Sequence, residues 1–206
     1  MPVLLRIDSS VDLQNSRSRA LTEAFASAWE ARGDAYTTVV RDLHENPVPH
    51  MTTTAQHWPE RLRGDQSLAP DIERLQQELI DELVAADLVI IGAPMYNYGI
   101  ASTLKAWLDL VHVPGTTAPF DEPAQPLQGK PVVILTARGG PNDGVTDECV
   151  IAPLTMVLGT GLGMEVHSVA VTRTLADILP DLDRSIADEE LRSGSDQARS
   201  LALKLA

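Results

Sequence analysis

Short apolar runs and longer amphipathic stretches alternate along this chain. Val3-Leu4-Leu5-Arg6-Ile7 is apolar and ends in Asp8-Ser9-Ser10, which predicts a buried strand running into a polar loop. From Ser16 the period changes: Ala20, Leu21, Ala24, Phe25, Ala28 and Trp29 recur at helical spacing, and Gly33 supplies a stop. Thr37-Thr38-Val39-Val40 predicts a second strand. Residues 44–70 carry Pro47, Pro49, Pro59 and Pro70 and little periodicity, which predicts a lid-like excursion with room for a short helix. Pro70-Asp71 then opens a helix with Ile72, Leu75, Leu79, Leu83 and Val84 on one face. Leu88-Val89-Ile90-Ile91 is a third strand, and Ala101, Leu104, Trp107, Leu108 and Val111 mark the next helix. A polar loop covers 114–129, and Val132-Val133-Ile134-Leu135 is a fourth strand. A helix over about 147–158, a fifth strand from Glu165 to Val171 and a charged amphipathic helix over 181–206 complete the pattern.

Strands that alternate with helices predict a parallel sheet covered on both faces. Five strands in 206 residues suit one α/β domain, spanning 1–206, of the flavodoxin-like kind: a three-layer sandwich with strand order 2-1-3-4-5. Periodicity alone leaves other doubly wound orders open. No internal repeat or composition shift suggests a second domain.

Charge narrows the partners. A formal net charge of −13 repels phosphate backbones and anionic lipid heads, which argues against nucleic acid and membrane partners. A phosphate-bearing cofactor must then be held by local donors. The single cysteine, Cys149, forms no intrachain disulfide, and Met1-Pro2-Val3-Leu4-Leu5-Arg6 lacks a signal-peptide layout. No apolar run approaches membrane-spanning length. A cytoplasmic protein is expected.

Ligands of open α/β sheets bind beyond the carboxyl ends of the strands, which selects three loops. The first contains Ser10 and Ser16-Arg17-Ser18 and ends where a helix begins, so free amides, hydroxyls and a guanidinium could meet an anion there. Capping of the helix by Ser16 or Asn15 explains the same residues. The second, Pro94-Met95-Tyr96-Asn97-Tyr98-Gly99, offers flat apolar surface with a few polar groups, suited to an aromatic ring system; tyrosines packed on the core are the alternative. The third, Ala137-Arg138-Gly139-Gly140-Pro141, lets backbone approach a ligand closely and is also an ordinary turn. There is no P-loop motif.

Together, Ser-x-Ser at 16–18, Pro-Met-Tyr-Asn-Tyr at 94–98 and Arg-Gly-Gly at 138–140 resemble the FMN-dependent NADH-azoreductase family, also described as NADH:quinone oxidoreductases. Arg41-Asp42-Leu43, Asn46-Pro47-Val48-Pro49 and Leu104-Lys105-Ala106-Trp107-Leu108-Asp109 extend the resemblance over nearly the whole chain. It implies a noncovalent FMN, NADH or NADPH as donor, and a small aromatic acceptor: a quinone, an azo compound or a nitroaromatic. It also implies a homodimer with two sites near the interface and ping-pong hydride transfer. By that analogy Ser10, Ser16, Arg17 and Ser18 hold the phosphate, and Met95, Tyr96, Asn97 and Tyr98 run along the flavin ring. Ala137, Arg138, Gly139 and Gly140 border its pyrimidine end. No side chain is assigned as a catalytic acid or base. A specialised reductase for one quinone or nitroaromatic, and a nonenzymatic flavodoxin-like electron carrier, are the alternative readings.

The chain departs from the family pattern at Ala137, where serine is common, at Ala118 after Thr117, and at Thr160 in Val157-Leu158-Gly159-Thr160. Loss of aromatics at 118 and 160 is expected to open the acceptor side, with Phe120 a partial replacement. Gly159-Thr160-Gly161-Leu162-Gly163 reads as a helix stop, because a dinucleotide loop follows a strand rather than a helix. His44, His50 and His57 lack partners at metal spacing, so no metal is expected. His112, His167 and Cys149 read as structural, Trp29 and Trp107 as core, and Asp177–Glu190 as a solvated face. Trp58 is open between core, dimer contact and pocket wall.

Overall fold

The computed structural model describes residues 1–121 and 125–205, so part of the 114–129 loop and the last residue lie outside the described residues. The five strands β1 (Val3–Asp8), β2 (Thr37–Asp42), β3 (Leu88–Pro94), β4 (Pro131–Ala137) and β5 (Glu165–Val171) lie where the apolar runs predict them. They form one parallel sheet in the order β2-β1-β3-β4-β5. The expected topology is therefore the observed one. Successive strand residues face opposite sides, and two cores result. Leu5, Ile7, Val89, Ile91, Val132 and Ile134 pack under α2 (Pro70–Ala85) and α3 (Ser102–Val111). Leu4, Leu88, Ile90, Val133 and Leu135 pack under α1 (Arg17–Glu30), and Ala198 and Ala202 of the C-terminal helix join the same core. Trp29 and Trp107 are fully buried, one in each core.

Three local departures have physical causes. Val84 is exposed, and the buried face of α2 runs through Gln76, Leu79, Ile80 and Leu83. Gln76 is tolerated because its Nε2 donates to the carbonyls of Gln56 at 2.7 Å and Leu110 at 2.9 Å, which ties the excursion to α3. The excursion itself holds two 3-10 turns, Thr54–His57 and Glu60–Leu62, the first closed by a Thr53/Gln56 capping box. The helix expected over 147–158 is only four residues of α-helix, α4 (Ala152–Thr155). π-helical turns continue it on both sides, Asp147–Ile151 and Met156–Gly161. Pro153 has no N–H to donate to the preceding turn, which disfavours a regular ladder there. Gly163, at φ +75, completes the helix stop. The last helix, α5 (Arg184–Lys204), begins three residues later than expected, because Asp183 caps it: Oδ1 accepts from the N–H groups of Ser185 and Ile186.

At the carboxyl end of β1, close approach demands a glycine on the neighbouring strand. A Cβ at Gly92 would lie 2.8 Å from Asp8 Oδ1 and 3.0 Å from Thr22 Cγ2.

Candidate functional site

The loop after β1 is shaped by its own side chains. Asp12 Oδ1 accepts from the N–H groups of Gln14 (2.9 Å) and Asn15 (2.8 Å), folding the loop into an Asx-type turn. The N–H groups of Asn15 and Gln14 hold the Asp12 carboxyl below its ordinary range. Ser16 is the N-cap of α1, its Oγ accepting from the Arg19 N–H at 3.3 Å. Capping and anion binding are compatible here: the N–H groups of Arg17 and Ser18 have no intrahelical acceptor and point out of the helix start. Ser18 is buried, with its hydroxyl 3.1 Å from that of Ser16. The Arg17 guanidinium turns away, donating to the Ala187 carbonyl at 3.1 Å and lying 3.4 Å from Asp188 Oδ1. Arg17 thus offers the site its backbone while its side chain ties α1 to α5.

A buried ion network supports this loop from below. Arg19 donates to Asp42 (2.5 and 3.0 Å) and, through Nε and Nη2, to the Ser10 carbonyl (3.2 and 2.7 Å). Asp8, only 1% exposed, receives Arg6 Nε at 2.8 Å and Thr22 Oγ1 at 2.7 Å, with Arg19 at 3.8 Å. Burial pushes the Asp42 carboxyl upward, but Arg19 and the N–H groups of Glu45 and His44 outweigh it and hold the carboxyl below its ordinary value. A depressed carboxylate stabilises the fold above the unfolded pKa and loses that contribution as pH falls through the folded one. Stability is therefore expected to decline as pH falls below the ordinary aspartate value of 3.8, and Asp42→Asn should flatten that decline in urea titrations run at successive pH values.

The loop after β3 forms the second wall. Tyr96 and Gly99 exchange backbone hydrogen bonds (2.9 and 3.1 Å), with Asn97 at φ 49 and Tyr98 at φ 61 between them, the pair of left-handed residues of a type I′ turn. Asparagine accepts that conformation readily, whereas a tyrosine there stores about 1–3 kcal/mol of strain, a feature that clusters at functional sites. Tyr96 Oη lies 3.1 Å from Ser10 Oγ and accepts from the Val11 N–H at 3.1 Å, joining this wall to the first. The Met95 N–H donates to the Ala137 carbonyl at 2.9 Å, joining it to the third.

In the third wall Arg138 is buried and ion-paired with Asp143, while its Nε has no partner among the described residues. The three walls enclose a cleft of about 380 Å³. Ser10, Ser16, Arg17 and Ser18 line it with Met95 and Tyr96, and with Ala137, Arg138 and Gly139. Asn97, Tyr98 and Gly140 do not line it; the first two stand on the turn at its mouth, Tyr98 72% exposed. The lining also includes Thr174, Leu175, Asp177 and Ile178. Sequence reasoning missed these residues as cleft lining, although the rule that selected the other loops also points to the loop after β5; Asp177 is nonetheless solvent-exposed, as its acidic stretch predicts. A more open groove of about 610 Å³ between β5 and α5, lined by Thr172, Glu190 and Gln197 among others, gathers none of the expected residues.

The cleft sits beyond β1, β3 and β4, where the strand order reverses. A model of the flavodoxin-like fold family matches residues 3–196. The chain belongs to this family. The FMN-dependent NADH:quinone oxidoreductase of Kineococcus radiotolerans is 44% identical over 214 aligned positions, covering all of both chains. That of Streptomyces avermitilis is 38% identical, covering 100% of this chain and 98% of its own. An FMN-dependent NADH-azoreductase from Bacillus anthracis, solved in complex with FMN, superposes with a TM-score of 0.79 at 22% identity, covering 100% of both chains. At that identity the likeness shows the fold.

FMN fits what this cleft offers. Free N–H groups and hydroxyls at the start of α1 suit a phosphate, and Met95 with Pro94 suits a flat ring. The buried, unpartnered Nε of Arg138 is a donor left over for an acceptor. A volume of about 380 Å³ lies within the rough 300–1,000 Å³ span of small-molecule sites. At the departures from the family pattern, Ala118 is buried and Thr160 exposed. Phe120 is 63% exposed and packs on Trp58 with ring centroids 5.1 Å apart. Trp58 is therefore a half-buried partner of Phe120, outside the cleft itself.

Proposed function

We propose that this chain is an FMN-dependent oxidoreductase that takes reducing equivalents from NADH or NADPH and passes them to a quinone, an aromatic azo compound or a nitroaromatic. The observation that carries this is the meeting of three loops in one cleft at the sheet's switch point, whose lining combines anion donors with flat apolar surface. The full-length identity to FMN-dependent NADH:quinone oxidoreductases supports it. Bound FMN supplies hydride acceptance from the nicotinamide and electron delivery to the acceptor.

The protein's part is binding and orientation. Ser10, Ser16 and Ser18, with the Arg17 N–H, take the phosphate. Met95 and Tyr96 would lie along the ring, with Asn97 and Tyr98 on the turn that carries them. Ala137, Arg138 and Gly139, with Gly140 behind them, would border the ring, and the Arg138 Nε would add a donor there. No side chain is assigned as a proton carrier to the ring, and orientation is the work assigned to the chain. The whole of 1–206 acts as one FMN-binding unit. A homodimer is supported by apolar side chains left exposed on the surface, Tyr98, Phe120 and Met51 among them. Among the described residues no helix is long and apolar enough to cross a membrane, and the lone Cys149 suits a reducing cytoplasm.

One cleft serving donor and acceptor in turn gives ping-pong kinetics. Initial rates with NADH and a simple benzoquinone varied together should give parallel double-reciprocal lines; intersecting lines would reject the shared cleft. In an acceptor panel, simple quinones are expected to outpace a bulky azo dye, because Ala118 and Thr160 supply no aromatic surface for stacking.

A further inference from the structure

The segment after β5 is held rigidly against the third wall. The N–H groups of Arg173, Thr174 and Leu175 donate to the carbonyls of Gly140 (2.8 Å), Arg138 (3.1 Å) and Gly139 (3.4 Å). The N–H groups of Ile178 and Leu179 close back onto the Leu175 carbonyl at 2.9 and 2.8 Å. Arg184 pairs with Asp177 at 3.2 Å, and Arg17 anchors the start of α5 to the first loop. Leu175 lies directly over Gly139: a Cβ there would stand 2.7 Å from Leu175 Cδ1.

This anchored segment presents apolar side chains to open space. Leu175 is 42% and Ile178 73% exposed, and both line the cleft. The first loop lines the cleft with Ser10, Asp12, Ser16 and Ser18, which are polar, so a ligand with a flat apolar ring has Pro94 and Met95 and needs further apolar cover. Exposed aliphatic groups on a fixed scaffold at a cleft rim mark surface that a ligand covers.

We propose that residues 174–178 form a fourth wall of the FMN site, with Leu175 and Ile178 covering the apolar part of the bound cofactor. This rests on the FMN reading above. Leu175 and Ile178 carry neither charge nor a polar side-chain group, so they would act on ring and ribityl chain and not on phosphate, and FMN and riboflavin should feel their loss equally.

The test is equilibrium titration of the apoprotein with FMN and with riboflavin, read by quenching of flavin fluorescence. Leu175→Ala combined with Ile178→Ser is expected to raise Kd for both ligands by the same factor, about tenfold for the loss of two partly buried aliphatic contacts. Ile178→Ser alone, at a side chain so exposed that folding is undisturbed, should raise both by about threefold. Leu203→Ser, on an exposed position of α5 about 28 Å along the helix from Arg184, should change neither. Unchanged affinities in the double variant overturn the fourth wall while leaving the FMN reading intact. Weakening of FMN alone also overturns it, because that places the effect at the phosphate loop. A wild-type protein that binds neither flavin removes the FMN reading and the wall with it.

Discussion

Ser16→Asp is expected to weaken FMN binding by about a hundredfold while leaving the protein as stable as before. Aspartate caps a helix as well as serine does, and a negative charge suits the positive end of the α1 dipole. The Arg19 N–H keeps its acceptor, so unfolding free energy should stay within about 0.5 kcal/mol of the parent. The same carboxylate occupies the place where a phosphate would meet the free N–H groups of Arg17 and Ser18. Two unit charges about 4 Å apart repel by about 4 kcal/mol at an effective dielectric near 20, and partial solvation brings this down to the two decades expected. Riboflavin has no phosphate and should bind the variant nearly as well as the parent. Calorimetric titration with both ligands checks this; an unchanged FMN affinity would take the phosphate away from the start of α1.

Arg19→Met is expected to remove about 3 kcal/mol of stability and to loosen FMN as well. The methionine leaves Asp42 without its bidentate partner and Asp8 with Arg6 as its one remaining cation beside the Thr22 hydroxyl, both in a largely buried setting. It also frees the Ser10 carbonyl, which Arg19 grips twice, so the first loop loses its fixed shape. A double variant that adds Asp42→Asn should recover part of the stability, because the unpaired charge is then gone. FMN affinity should stay low in that double variant, since Ser10 remains unheld. Urea unfolding of the two single variants and the double one reads the coupling directly; a loss below about 0.5 kcal/mol in Arg19→Met would show that the network carries no stability.

The sequence was most legible where one physical rule decides the outcome. Apolar runs located all five strands, and a sheet buried on both faces reads as continuous hydrophobicity, as β3 does. The first three loops of the cleft followed from the rule for open sheets combined with the family resemblance. The fourth was missed because Thr174-Leu175-Ala176-Asp177-Ile178 carries no glycine or serine cluster to mark it, and its acidic neighbours read as solvent-facing. Arg17 lines the cleft, yet its guanidinium goes to α5, a partner 170 residues away that no local pattern announces. The Arg19–Asp42–Asp8 network was unreadable for the same reason: its charges look like ordinary surface residues until the parallel pairing of β1 with β2 sets Asp8 opposite Asp42. Val84 was placed on the core face by period alone, while Gln76 took a buried position through two hydrogen bonds that only the tertiary structure supplies.

The central claim is that this cleft holds an FMN that a reduced nicotinamide can reach and a quinone can empty. Anaerobic addition of NADH, then of a quinone, to the FMN-loaded protein tests it most directly, with the visible flavin absorption followed throughout. The expected result is loss of the oxidised flavin absorption with NADH and its full return with quinone in the absence of oxygen. Flavin that stays oxidised under excess NADH and NADPH, or protein that retains no FMN, would contradict it.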